Sequence, residues 1–121
     1  MTNITMRIIL DTNILITSFR FKADIFSGGH DLHILSGTIG ELKRISKGKS
    51  KDAMAAKLAL KIIAIKNIEI LPSHGKVDEA LIIYGKEGYC IATQDKVLRA
   101  KLKKGNIKFA YIRQKKYLEI A

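Results

Sequence analysis

Cysteine is nearly absent: one residue, Cys90, in 121. That excludes an internal disulfide and a cysteine-based zinc site, and it fits a reducing cytosol. Acids are scarce too, with 11 Asp and Glu against 22 Lys and Arg and a net charge of +11. No apolar run approaches the roughly 20 residues of a membrane-spanning helix, and no signal-peptide pattern opens the chain. Repeats, linkers and low-complexity segments are missing as well, so the expectation is one cytoplasmic domain over residues 1–121 with no membrane partner. What is present is an ordinary globular composition, 47% hydrophobic and 27% charged. The basic excess suggests a polyanionic partner, most often nucleic acid, with a lysine-rich solvated surface as the plain alternative.

Short apolar runs alternate with helical patterns along the chain. Strands are expected over 6–10, 32–35, 68–71, 89–92 and 107–112. The first helix is expected from Thr12 or Asn13 toward Phe26, followed by a turn at Ser27–Asp31, and the second covers about 39–45. The third opens at Asp52 with an apolar stripe of Met54, Leu58, Ile62 and Ile65; two more span 77–86 and 96–104. The tail RQKKYLEIA, residues 113–121, adds a last turn or short strand. Alternation of this kind implies parallel strands with right-handed crossovers. The fold class is therefore α/β, a three-layer α/β/α sandwich around a mainly parallel sheet of about five strands. Ligands in such folds bind beyond the carboxyl ends of the strands.

The few acids fall at those ends. Asp11 ends the first strand in RIILDTN, where an unpaired carboxylate is costly. Glu41 follows the second strand by about a turn of helix, Asp78 and Glu79 open the helix after the third, and Asp95 follows the fourth in ATQD. Converging carboxylates repel and need a countercharge, for which a hard divalent cation such as Mg²⁺ or Mn²⁺ is suited. Individually, Asp95 and the Asp78–Glu79 pair also read as helix-terminal acids and Glu41 as a solvated helix residue. Three basic stretches, 43–51, 99–108 and 113–116, read as phosphate-backbone contacts, with Lys47, Lys49 and Lys51 first and Arg113, Lys115 and Lys116 second. Tyr111 and Tyr117 are candidates for base stacking, although a core or surface role is the commoner one. His30, His33 and His74 have no ligand spacing, and mid-strand Cys90 reads as a small buried hydrophobe.

The ordered set of strand-DTN, Glu41-Leu42, VDEAL at a helix start and strand-ATQD resembles the PIN-domain ribonucleases over essentially the whole chain. FRFKADIF, SKGKSKDAMAAKLAL and YIRQKKYLEI make it most similar to archaeal members that resemble the eukaryotic small-subunit rRNA-processing endonuclease. The resemblance implies an endoribonuclease of rRNA processing or RNA turnover, dependent on one or two Mg²⁺ or Mn²⁺ ions, with Asp11, Glu41, Asp78 and Asp95 as catalytic and metal-binding acids. Asn13 and Thr93 take the place of the polar residues that orient those acids. Glu79 is a supporting residue or an alternative to Asp78, a choice the sequence leaves open. The implied partners are single-stranded RNA or an rRNA precursor, a second copy of the chain, and preribosomal proteins. Two other roles compete: a ribonuclease toxin neutralised by an antitoxin, and a non-catalytic RNA-binding or ribosome-assembly module. The chain departs from the family pattern in the short SGGHD connection after Phe26, in TQD for the commoner TND, and in Ser36 without a preceding proline.

Overall fold

The computed structural model describes residues 5–113 and 116–121. Six strands form one sheet in the order β3-β2-β1-β4-β5-β6. They are β1 (Arg7–Leu10), β2 (Asp31–Leu35), β3 (Glu69–Leu71), β4 (Cys90–Ala92), β5 (Phe109–Arg113) and β6 (Tyr117–Ile120). The first five are parallel, and β6 returns antiparallel to β5 with Tyr111 opposite Glu119. The helices are α1 (Thr12–Phe21), α2 (Ser36–Ile45), α3 (Lys51–Ile65), α4 (Val77–Lys86) and α5 (Lys96–Lys104).

β1 is central, and Ile8, Ile9 and Leu10 are fully buried because both faces of the sheet are covered. Ile8 and Leu10 face a core shared with α1, α2 and α3; Ile9 faces Leu81, Leu98 and Leu102 of α4 and α5. From β1 the chain runs outward to β3, then recrosses to β4 on the other side of β1. The strand order therefore reverses between β1 and β4, and a crevice opens beyond their carboxyl ends.

Several sequence expectations change. The sheet has six strands because Tyr117–Ile120, which reads ambiguously beside a basic stretch, pairs fully with β5. Helix α1 stops at Phe21 rather than near Phe26: Lys22 turns left-handed, and the Asp24 carboxylate takes the amides of Phe26 and Ser27, which ends the helix with a side-chain turn. Helix α2 begins directly at Ser36, and Ser50, not Asp52, caps α3 by accepting from the Ala53 amide at 3.1 Å.

The face of α3 is also reversed. Met54, Leu58 and Ile65 are exposed, while Ala53, Ala55, Ala56, Ala59 and Ile63 are buried. Helix α3 packs on both α1 and α2. Small side chains let the backbones approach, so the alanine face goes inward and the large residues go out. No helix among the described residues is long and apolar enough to cross a membrane.

Packing between α4 and the segment that leads into β5 is tight. A Cβ placed on Gly85 would lie 2.6 Å from Cγ2 of buried Ile107. Alanine gains about 1 kcal/mol of helix propensity, against about 1–3 kcal/mol for overpacking. Gly85→Ala is therefore expected to destabilise by up to roughly 2 kcal/mol, lowering Tm by several degrees in a thermal melt. A melt at or above the wild-type temperature would show that this contact yields freely.

Candidate active site

The crevice at the strand reversal holds the acids. Asp11, Glu41, Asp78 and Asp95 all line one open cavity of about 460 Å³, together with Asn13, Thr17, Arg20 and Asp52. Each arrives by a different route. Asp11 is the first residue after β1 and caps α1, its Oδ1 accepting from the Thr12 amide at 2.7 Å. Glu41 comes from the second turn of α2 and Asp78 from the first turn of α4. The loops feeding those two helices are stitched together: the Ser73 amide donates to Ser36 Oγ and the Gly37 amide to Ser73 Oγ, both at 2.9 Å. Ser36 thus holds the two loops in place without a preceding proline. Asp95 caps α5, its Oδ1 accepting from the amides of Val97 and Leu98 at 2.9 and 3.1 Å. It is a helix cap and a cavity residue at once.

Thr93, fully buried at the end of β4, ties the site together. Its amide pairs with the Ala110 carbonyl, its hydroxyl donates to Asp11 Oδ2 at 2.9 Å, and the same oxygen accepts from the Asp95 amide. Asn13 acts on the backbone of this loop, with Oδ1 accepting from the Gln94 amide at 3.1 Å. The Gln94 side chain, one methylene longer than the asparagine of the family pattern, accepts from the Ile112 amide at 2.6 Å and so fastens the Asp95 loop to β5. Thr12 bridges two acids, since its hydroxyl donates to Glu41 Oε1 at 2.6 Å while its amide serves Asp11.

Asp11 is only 6% exposed. Burial raises its pKa from 3.8 to about 6; the Thr93 hydroxyl and Thr12 amide oppose this, and the charges of Asp78 and Glu41 add to it. The ionised form is thus short of countercharge at neutral pH. The donors are all carboxylate oxygens, which fits Mg²⁺ or Mn²⁺ and not a soft metal. Among the described residues no three His, Cys, Asp or Glu side chains stand close enough to form a ready-made cage. Mg²⁺ commonly takes one or two carboxylates and keeps several waters, which does not require such a cage.

The adjacent acids Asp78 and Glu79 separate by about 100° on their helix. Asp78 lines the cavity and acts on Asp11, whereas Glu79 lies outside the cavity lining. Lys47 and Lys49 are exposed on the turn between α2 and α3, and exposed Lys51 opens α3. Ile45 and Asp52, which bracket that turn, both line the cavity; the three lysines themselves are outside its lining. Arg113 is engaged elsewhere: its guanidinium binds Glu119 at 2.9 Å. Lys116 is exposed and its carbonyl pairs with Asp24; Lys115 lies outside the described residues. The Tyr111 hydroxyl donates to Glu119 and the Arg99 guanidinium sits over its ring, so it belongs to the β5–β6 surface rather than to an open stacking face. Tyr117 is exposed.

The remaining residues take quiet roles. His30 accepts from the Met6 amide and His33 pairs with Glu69. Cys90 is buried, and burial pushes its thiol up to about 11. Five cavity or support residues escape a reading of the sequence: Thr12, Thr17, Arg20, Asp52 and Gln94. Thr12 and Gln94 had a signal, their places inside DTN and ATQD.

The chain is similar to several known proteins. Ribonuclease VapC4 of Methanocaldococcus jannaschii is 36% identical, covering 94% of this chain and 95% of its own. Ribonuclease VapC9 of Archaeoglobus fulgidus is 27% identical, covering 89% and 84%. A solved domain of a functionally unknown protein from M. jannaschii superposes with a TM-score of 0.63 at 13% identity, covering 90% of this chain and 92% of that one, which supports the fold alone. Residues 8–115 match the family described as PIN like domain, and with the fold and the strand-end acids in place the chain belongs to that family.

Proposed function

We propose that the protein is a metal-dependent endoribonuclease that hydrolyses RNA phosphodiester bonds in the crevice between β1 and β4. The observation that carries this reading is Asp11: a buried carboxylate, raised to about 6, in one cavity with Glu41, Asp78 and Asp95. Two ribonuclease-named relatives that span nearly the whole chain support it.

Asp11 would hold a Mg²⁺ or Mn²⁺ ion, with Glu41, Asp78 and Asp95 binding directly or through water. Such an ion, when bound, activates water and offsets charge on the phosphodiester. Thr93 and Thr12 fix the oxygens of Asp11 so that little reorientation is needed on loading. Gln94 and Asn13 hold the Asp95 loop against β5 and α1. Lys47, Lys49 and Lys51 would take backbone phosphates, with Arg113, Lys115 and Lys116 as more distant contacts. Water adds to phosphorus, the bond to the 3′ oxygen breaks, and that oxygen takes a proton, leaving a 3′-hydroxyl and a 5′-phosphate.

The toxin half of a toxin–antitoxin pair fits the VapC names of both relatives better than rRNA maturation does. That role makes a small antitoxin the expected partner. Incubation with single-stranded RNA tests the chemistry: cleavage with Mn²⁺, 5′-phosphate ends and full suppression by EDTA are expected. RNA left intact at millimolar Mn²⁺ would favour a non-catalytic RNA-binding module.

A further inference from the structure

The cavity is short of positive charge. Asp11, Glu41, Asp52, Asp78 and Asp95 line it, and Arg20 is the one cationic residue in its lining among the described residues. Arg20 lies in the last turn of α1, whose first residue follows Asp11. At 1.5 Å per residue it stands roughly 13 Å along the helix axis from Asp11. Asn13, Thr17 and Arg20 recur at helical spacing, and all three line the cavity. Helix α1 thus forms a polar track leading from the acids to the guanidinium.

Arg20 is not free. Its Nη1 binds Asp52 Oδ1 at 3.0 Å, the two side chains being 39% and 52% exposed. This is a single hydrogen bond, and it uses one of the five donors that a guanidinium carries; the guanidinium also lies over the Phe21 ring, 5.6 Å from its centroid, a contact that leaves the other donors free to turn to a phosphate. An exposed, monodentate ion pair is weak and readily exchanged for a doubly bonded phosphate.

We propose that Arg20 forms a second phosphate subsite, binding an RNA backbone phosphate away from the scissile bond, and that Asp52 competes for it from within the chain. The proposal rests on the endoribonuclease reading and adds the direction in which RNA lies, along α1. A docking phosphate displaces Asp52, so the resting pair raises the threshold for weak or short anions.

The test uses a fluorescently labelled single-stranded RNA of about ten nucleotides, a length typical of single-strand binding sites. Anisotropy titrations are run in an Asp11→Asn background so that the probe survives. Arg20→Ala is expected to weaken binding about tenfold and to lower the salt slope by about one. Asp52→Asn is expected to tighten binding severalfold, and the double variant to behave as Arg20→Ala alone. A bridge that merely joins α1 to α3 would be broken equally by both changes, so shifts in the same direction, or none, would overturn the proposal. Circular dichroism shows whether each variant keeps its fold. Cleavage by the wild type together with unchanged binding by Arg20→Ala overturns this subsite alone. Opposite binding shifts without cleavage by the wild type uphold the subsite and remove the catalytic reading. No binding by the wild type removes both.

Discussion

Asp11→Asn is expected to make the metal-free protein more stable at neutral pH while removing its ability to cut RNA. The carboxyl has a pKa of about 6 in the fold against an ordinary 3.8, so the folded state holds the proton more tightly. The stability this lends is full below about 3.8 and is lost as pH rises through about 6. At pH 7 the ionised group therefore costs up to roughly 3 kcal/mol. Asparagine removes the charge and keeps most of the bonding. Its oxygen can still accept from the Thr12 amide, and the Thr93 hydroxyl can turn to Asn13 Oδ1, 3.3 Å away. A net gain of about 1–2 kcal/mol at pH 7 in EDTA follows, or roughly 5–10 °C in Tm. The gap between the two proteins should close as pH falls toward 4. Mn²⁺ should raise the melting temperature of the wild type and leave the variant nearly unmoved. A variant less stable than wild type at pH 7 would show that Asp11 is already neutralised within the fold.

The second large effect separates two neighbours. Asp78 and Glu79 are both acidic and both in the first turn of α4, but only Asp78 lines the cavity. Asp78→Asn is expected to lower RNA cleavage about 100-fold, and Glu79→Gln to leave it within about threefold. Asp78→Asn should also lower the pKa of Asp11, because the Asp78 charge is among the causes that raise it. Equal losses from the two substitutions would mean that the α4 acids act through their common charge and not through position.

Much of this was legible in the sequence because of how parallel sheets are built. A strand buried on both faces must be a continuous apolar run, and residues 8–10 and Cys90–Ala92 are such runs. Parallel strands deliver the residues that follow them to one edge, so the positions of Asp11, Glu41, Asp78 and Asp95 could be placed without coordinates. Helix α3 shows where that reasoning ends. Its sequence offers apolar residues on both faces, and the sides are chosen by the close approach of α1 and α2, which favours alanine. Hydrophobicity alone pointed to Met54, Leu58 and Ile65, which lie outside.

The supporting residues were hidden for a related reason. Thr12, Gln94 and Arg20 matter through partners distant in sequence: Glu41, Ile112 and Asp52. Their local patterns describe a helix start, a loop and a solvated helix face. Only the folded chain brings Gln94 to β5 or Arg20 to the rim of an acidic cavity. The short connection after α1 is likewise an omission in the sequence. In the fold, Asp24 organises it by pairing with Phe26, Ser27 and the carbonyl of Lys116.

The central claim is that RNA is hydrolysed at the carboxylate crevice beside Asp11. Its most direct test compares wild type and Asp11→Asn on the same single-stranded RNA with Mn²⁺, both shown by circular dichroism to be folded. The account predicts cleavage by the wild type and a loss of about 10³-fold or more in the variant, equivalent to roughly 4 kcal/mol of transition-state stabilisation. Equal cleavage by the two proteins would contradict it.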